Sequence, residues 1–446
     1  MPSRIEPSAR SIAAHVVERA LREGAFAAAV LDAAVDRFPE LDPRERALAT
    51  ELTYGALRTA PYLTERVARY ALHGAKPLEG TVRAHLIVAA YQLLFLDRVP
   101  AFAAVSEAVR LVTAARGKRV GAFANAVLRR VAAESSEAQS DKRASLEQAT
   151  RASVAAPLWA SLVRSLGEPS ASAFVAATAA PAVGLRVRVG ANRDTWLARL
   201  GEHAPRATFA PGAVSPLAIL MRGGGDPQKL PFVLGGDLAI HEEGAQAIAL
   251  ALGAKAGETV LDACAGRGNK TALLAELVGP TGSVDAVDQH PSKLTRLQTE
   301  LARLRLAPRA TYAVDWSVGS GDVPGAYDRV LVDAPCSGTG TIRRRPDLAA
   351  RWDAAKLPEL HELQVRILVA AAERAKPGGV IVYAVCSLLR EEGEDVIAAA
   401  LARAPWLSEA PFDAEVPFLS GATMYRLTPH EHGTDGFFLA ALVRRA

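Results

Sequence analysis

Val330-Leu331-Val332-Asp333-Ala334-Pro335-Cys336-Ser337-Gly338-Thr339-Gly340 decides how this chain is read. An apolar run ends in an acid, then a Pro-Cys pair, then a glycine-rich loop. Further on, Val380-Ile381-Val382-Tyr383-Ala384-Val385 ends in Cys386-Ser387. The chain holds 3 cysteines, and two of them close apolar strands. That placement puts both thiols at one end of a sheet, facing one pocket.

Similar short runs surround these two. Thr259-Val260-Leu261, Val284-Asp285-Ala286-Val287 and Ala310-Thr311-Tyr312-Ala313-Val314 alternate with helical patterns over 270–278, 291–306 and 358–375. Such alternation predicts a doubly wound, mostly parallel sheet, with a late strand over 437–443. Ligands of these sheets bind beyond the carboxyl ends of the strands. There the sequence places Asp262-Ala263-Cys264-Ala265-Gly266-Arg267-Gly268-Asn269-Lys270-Thr271, then Asp288, Asp315, Asp333 with Cys336, and Cys386. Glycines in the first loop let backbone approach a ligand and turn into a helix. Asn269 excludes a P-loop, and the missing third glycine excludes a full dinucleotide fingerprint. A plain strand-to-helix turn is the alternative. Asp288 either accepts hydrogen bonds from ribose hydroxyls or caps a helix before Pro291.

The front of the chain reads as four to six helices. Val120, Phe123, Ala124, Val127, Leu128 and Val131 mark one apolar stripe. Pro39, Pro43, Pro61, Pro77 and Pro100 fall where helices should stop. Arg44, Arg46, Arg58, Arg116, Lys118, Arg119, Arg129 and Arg130 form either a solvated face or an RNA-contacting one. Residues 134–151 read as an exposed linker or a frayed helix. Leu185-Arg186-Val187-Arg188-Val189 reads as a strand with a basic outer face, and 221–229 as a glycine-rich loop.

The 446 residues allow two or three domains, and half are apolar. A formal charge of +4 is weak evidence for an anionic partner. Three scattered cysteines without a CxxC pair indicate neither a zinc site nor a disulfide framework. The first residues carry no apolar signal core, and 86–96 is too short to span a bilayer. A cytoplasmic protein with no metal and no membrane partner is expected, acting as a monomer.

Three front blocks, Leu41-Asp42-Pro43-Arg44-Glu45-Arg46-Ala47-Leu48-Ala49-Thr50-Glu51-Leu52, Tyr91-Gln92-Leu93-Leu94-Phe95-Leu96-Asp97-Arg98-Val99-Pro100 and Asn125-Ala126-Val127-Leu128-Arg129-Arg130, resemble a NusB-type RNA-binding domain. That domain stands before the catalytic part of the RsmB (Sun/Fmu) family of ribosomal RNA cytosine methyltransferases. Asp333 to Gly340, with Thr341-Ile342-Arg343-Arg344-Arg345-Pro346-Asp347 behind it, resembles the family's Asp-Ala-Pro-Cys block. Tyr383 to Ser387 resembles its Tyr-Ala-Thr-Cys-Ser block, and Leu261 to Thr271 its S-adenosylmethionine loop. The chain departs from the pattern at Gly266, Arg267 and Asn269, where the family reads Ala, Pro and Gly, and at Val385, where it reads Thr. Asn tolerates a left-handed backbone, so the turn is expected to survive.

The resemblance implies a multidomain protein. An all-α NusB-like helical domain over 1–135 would precede a linker and small α/β linking module over 136–232. A Rossmann-like class I methyltransferase sheet over 233–446 would follow. It also implies S-adenosylmethionine held by Cys264, Ala265, Gly266, Arg267, Gly268, Asn269 and Lys270, with Asp288 at the ribose, Asp315 at the adenine and Asp333 near the methyl donor. Cys386 would attack C6 of a cytosine in small-subunit (16S) ribosomal RNA, Asp333 would serve the ring N3, and Cys336 would assist release after methylation at C5. Arg343, Arg344 and Arg345 either hold RNA phosphates or form a solvated loop. Two rivals stay open, a transfer-RNA cytosine methyltransferase and a non-catalytic RNA-binding or antitermination-type factor.

Overall fold

The computed structural model describes residues 8–71, 80–137, 142–177, 181–413 and 416–445. Its chain falls into two compact units. One comprises residues 1–180 with Ile342–Trp352; the other comprises Pro181–Thr341 with Asp353–Ala446.

The first unit is helical. Its described residues form seven helices between Ala9 and Glu137, rather than four to six. The difference arises because two of the prolines start helices. Pro43 opens Pro43–Arg58 behind an Asp42 cap, whose carboxylate accepts from the Arg44 and Glu45 amides. Pro61 lies in the first turn of Ala60–Tyr70. Proline's fixed φ suits a first turn, whose N–H groups lack helical partners anyway. Gly80–Phe95 runs through the middle, buried on nearly every side from Leu86 to Leu93. Tyr91 on this helix packs so closely on Gly55 that any Cβ there would lie 2.0 Å from the ring. The expected stripe holds, with Ala124, Val127, Leu128 and Val131 all buried. Past residue 141 the expected linker is the helix Lys142–Ala152; residues 138–141 lie outside the described set.

In the second unit β1 (Val183–Val187), β2 (Ala207–Pro211), β3 (Ala218–Gly223) and β4 (Leu238–Ile240) form an antiparallel sheet in the order β2-β3-β1-β4. The expected 221–229 loop therefore begins only after Gly223. The basic outer face of β1 is not there. Arg186 is 1% exposed and forms a bidentate pair with Glu276 on helix Asn269–Val278, at 2.8 and 3.0 Å. An alternating Arg reads as solvent-facing unless a buried carboxylate meets it, and that partner lies far along the chain.

The second sheet holds β5 (Thr259–Asp262), β6 (Ser283–Val287), β7 (Ala310–Tyr312), β8 (Tyr327–Asp333), β9 (Ala375–Val385), β10 (Leu407–Glu409), β11 (Met424–Leu427) and β12 (Phe437–Arg444). Its order is β10-β12-β9-β8-β5-β6-β7, with β11 on β12. The ladders from β7 through β9 are parallel and those of β12 antiparallel. The chain steps outward from β5 to β6 and β7, then returns to β8 and β9 on the other side. That reversal opens a crevice beyond the carboxyl ends of β5 and β8. No helix among the described residues is long and apolar enough to cross a membrane.

Candidate active site

The two thiols arrive by register. β8 and β9 are parallel neighbours with Asp333 opposite Ala384, so the residues that follow both strands emerge at one edge. Ala334 donates to the Ala384 carbonyl and Gly340 to that of Cys386. The Sγ atoms of Cys336 and Cys386 lie 3.2 Å apart as free thiols. The hydrogen bond with Cys386, followed by burial, holds Cys336 well above the ordinary thiol range, and Glu392 adds to this. Cys264 is pushed up too, by burial and then by Asp333, Asp262 and Asp288; it packs against the core below the site.

Beside the thiols, Lys270 donates to Asp333 at 2.5 Å. Burial opposes the charge on Lys270, but Asp333 and Asp262 outweigh it and its pKa is raised. Asp262 accepts from the Thr271 hydroxyl at 2.7 Å. Burial lifts this acid from 3.8 to about 6, and its second oxygen has no partner.

The loop after β5 turns through left-handed glycines, Gly266 (φ 56°) and Gly268 (φ 91°). Asn269 is instead the first residue of the following helix, so its replacement of a glycine imposes no left-handed backbone. At Gly268 a Cβ would lie 2.7 Å from Leu297, whereas a Cβ on Gly266 would meet open space. Arg267 and Asn269 are exposed. Asp288 is buried and accepts from the Gly266 amide at 3.1 Å, the His290 amide at 2.9 Å and Lys293 at 3.3 Å. The helix cap is His290, which removes the capping reading of Asp288. Asp315 is exposed beyond a β7 two residues shorter than the expected 310–314 run, and the Ser317 hydroxyl and amide lower its pKa. Its neighbour Trp316 is buried and donates to the Ala263 carbonyl at 2.7 Å, bracing the loop from below.

Arg343, Arg344 and Arg345 are half-buried, not a solvated loop. Their segment packs within the helical unit. Arg58 donates to the Arg343 carbonyl at 2.8 Å, and the Arg345 guanidinium lies 5.6 Å from the Phe26 ring centroid.

Sequence reasoning missed Glu392. It is fully buried and receives hydrogen bonds from Ser337, Gln364 and Ser387. It lies in an Arg-Glu-Glu-Gly-Glu run, and such a run reads as solvated charge. Nothing in that run marks which glutamate turns inward.

A parallel sheet with a glycine turn after one strand, an acid after the next and a reactive edge beside it defines a class I methyltransferase. Comparison with known proteins agrees. Residues 249–443 match the family described as 16S rRNA methyltransferase RsmB/F, and residues 7–133 match the NusB family. Ribosomal RNA small subunit methyltransferase B of Shewanella oneidensis is 34% identical over 90% of this chain and 91% of its own. Its counterpart from Escherichia coli is 33% identical over 98% of each chain. The crystal structure of PH0851 shares the fold, with a TM-score of 0.79 at 23% identity, covering 99% of this chain and 100% of that one. The chain belongs to the RsmB/F family of 16S ribosomal RNA methyltransferases.

Proposed function

We propose that the chain transfers a methyl group from S-adenosylmethionine to C5 of a cytosine in small-subunit ribosomal RNA, through a covalent bond between Cys386 and C6. The observation that carries this reading is the thiol pair, 3.2 Å apart at the ends of adjacent parallel strands and beside the Lys270–Asp333 ion pair.

Cytosine C5 is a poor nucleophile. Addition of the Cys386 thiolate to C6 turns the ring into an enamine and makes C5 reactive, which is covalent catalysis. Asp333, which accepts from Lys270, serves the charge that develops at N3 by hydrogen bonding. Cys336 is held protonated next to Cys386, as a group that assists release should be. After methylation a base takes the C5 proton, the Cys386–C6 bond breaks, and Cys386 departs as the thiolate that attacked. Two thiols with separate roles fit this chemistry better than one buried inert cysteine would.

The residues fit the cofactor. Gly266 faces open space, the glycine turn keeps its left-handed positions on glycine, and Asp288 braces the loop amide. Cys264 through Lys270 would line it, with Asp288 at the ribose and Asp315 by the adenine. When bound, it supplies the electrophilic methyl carbon that C5 takes. Arg343, Arg344 and Arg345 are assigned to RNA phosphates. In functional terms, residues 1–135 help select the RNA, 136–232 link, and 233–446 perform the chemistry.

The test is methyl transfer from labelled S-adenosylmethionine to unmodified ribosomal RNA, with transfer RNA alongside. Ribosomal RNA should be labelled, Cys386→Ala should be inactive, and Cys336→Ala should accumulate a protein–RNA adduct. Labelling of transfer RNA alone would overturn the substrate; an active Cys386→Ala would overturn the mechanism.

A further inference from the structure

We propose that Glu392 is the positioning residue that holds the two thiol loops in register with each other. This rests on the reading of Cys386 as the attacking thiol and Cys336 as the releasing one. Glu392 ends the turn Arg390–Glu392 and is 0% exposed. One carboxylate oxygen accepts from the Ser337 amide at 2.8 Å and from Gln364 Nε2 at 3.0 Å. The other accepts from the Ser387 hydroxyl at 2.6 Å and from the Ser337 hydroxyl.

Ser337 directly follows Cys336, and Ser387 directly follows Cys386. A single carboxylate therefore grips the residue next to each thiol. Gln364 extends the grip to the near side of the first loop, donating to the Pro335 carbonyl at 2.9 Å. The Tyr383 hydroxyl donates to the Glu392 carbonyl at 2.8 Å, which ties the turn to β9. Thr339 and Ser387 hydroxyls meet at 2.9 Å between the loops. An ionised carboxylate accepts about four hydrogen bonds, and these donors fill it. Glu392 therefore has no acceptor left for substrate and acts only through the two thiols.

A positioning role predicts more than lost activity. It predicts that the sulfur–sulfur approach itself becomes slow when the carboxylate is removed. Diamide reads this directly, taking two electrons and two protons from a thiol pair and leaving a disulfide plus the hydrazine. The full-length protein would be treated with diamide and the rate of Cys336–Cys386 crosslinking followed by peptide mass spectrometry, with thermal melting as the folding control. Glu392→Ala should slow crosslinking about tenfold or more, the equivalent of losing one or two buried hydrogen bonds. Ser387→Ala, which removes one grip on one loop, should show a smaller slowing in the same direction. Glu392→Gln keeps shape and acceptor and should restore most of the rate. In methyl transfer Glu392→Ala and Ser387→Ala should lower kcat and leave the KM for S-adenosylmethionine unchanged, and Glu392→Gln should recover most of kcat.

If Glu392→Ala melts like wild type and crosslinks as fast, the proposal falls. If Glu392→Ala does not fold, unchanged crosslinking in folded Ser387→Ala overturns it equally. Crosslinking needs no RNA and no cofactor. Slow crosslinking alongside an active Cys386→Ala would thus leave the positioning role standing while the reading of the thiols fails.

Discussion

Removing Glu276 should destabilise the second unit severely, although Glu276 lies outside the site. Its carboxylate meets Arg186 at 2.8 and 3.0 Å, with side-chain exposures of 6% and 1%. It also accepts from the Val189 amide at 2.8 Å. Glu276→Ala leaves a guanidinium buried without its counter-charge. Breaking a buried pair from one side costs about 3–5 kcal/mol. For a unit of this size that corresponds to a fall in Tm of roughly 6–20 °C. Arg186→Met/Glu276→Leu removes both charges and fills the space, so it should recover most of the loss. Calorimetric melting of the two variants and wild type, at low and high salt, is the assay. The pair is buried, so salt should hardly change the difference. A single variant within about 1 kcal/mol of wild type, or a double variant no better than the single, would refute the reasoning.

Further outcomes follow from the loop after β5. Asp262 carries a folded pKa of about 6 against an ordinary 3.8, caused first by burial. Between those values the folded state keeps a proton that the unfolded chain has released, so stability falls as pH rises through the window and levels above it. The span is worth at most about 3 kcal/mol, and Asp262→Asn should lose this slope in urea titrations between pH 4 and 7. Gly268→Ala forces a positive φ on an L-residue and a clash with Leu297; it should cost about 2 kcal/mol or more and abolish the thermal shift given by S-adenosylmethionine. Asn269→Gly restores the family's residue at a helical position, so cofactor affinity should not improve and stability should fall by up to about 1 kcal/mol. Lys270→Met removes the cation from Asp333 and should lower kcat by about tenfold or more with folding retained, measured by methyl transfer and circular dichroism.

Much of this architecture was legible because it rests on local pattern. Runs such as 330–332 and 380–385 are apolar over their whole length, which marks strands buried on both faces. Their endings therefore carried the site, and Asp333, Cys336 and Cys386 were readable as a group. What escaped is long-range pairing. Arg186 alternates as an outward residue would, and only Glu276, brought in by the fold, turns it inward. Glu392 reads like any other charge of its run until Ser337 and Ser387 converge on it. Asn269 was misjudged for a subtler reason. The residue that needs a positive φ is set by where the helix begins, and the helix begins at Asn269 itself.

The stretch Ile342–Trp352 is counted with the helices although the chain enters it from the catalytic strand β8 and leaves it toward β9. One cut at residue 180 therefore does not separate this protein into its parts. A front fragment would lack the backbone carbonyl that Arg58 holds and the guanidinium over Phe26. A rear fragment would carry Arg343, Arg344 and Arg345 without their seat. Exchange of the front domain between relatives by recombination would break the same contacts. In this chain the two parts are constrained to be inherited together, whatever a linear map of the sequence suggests.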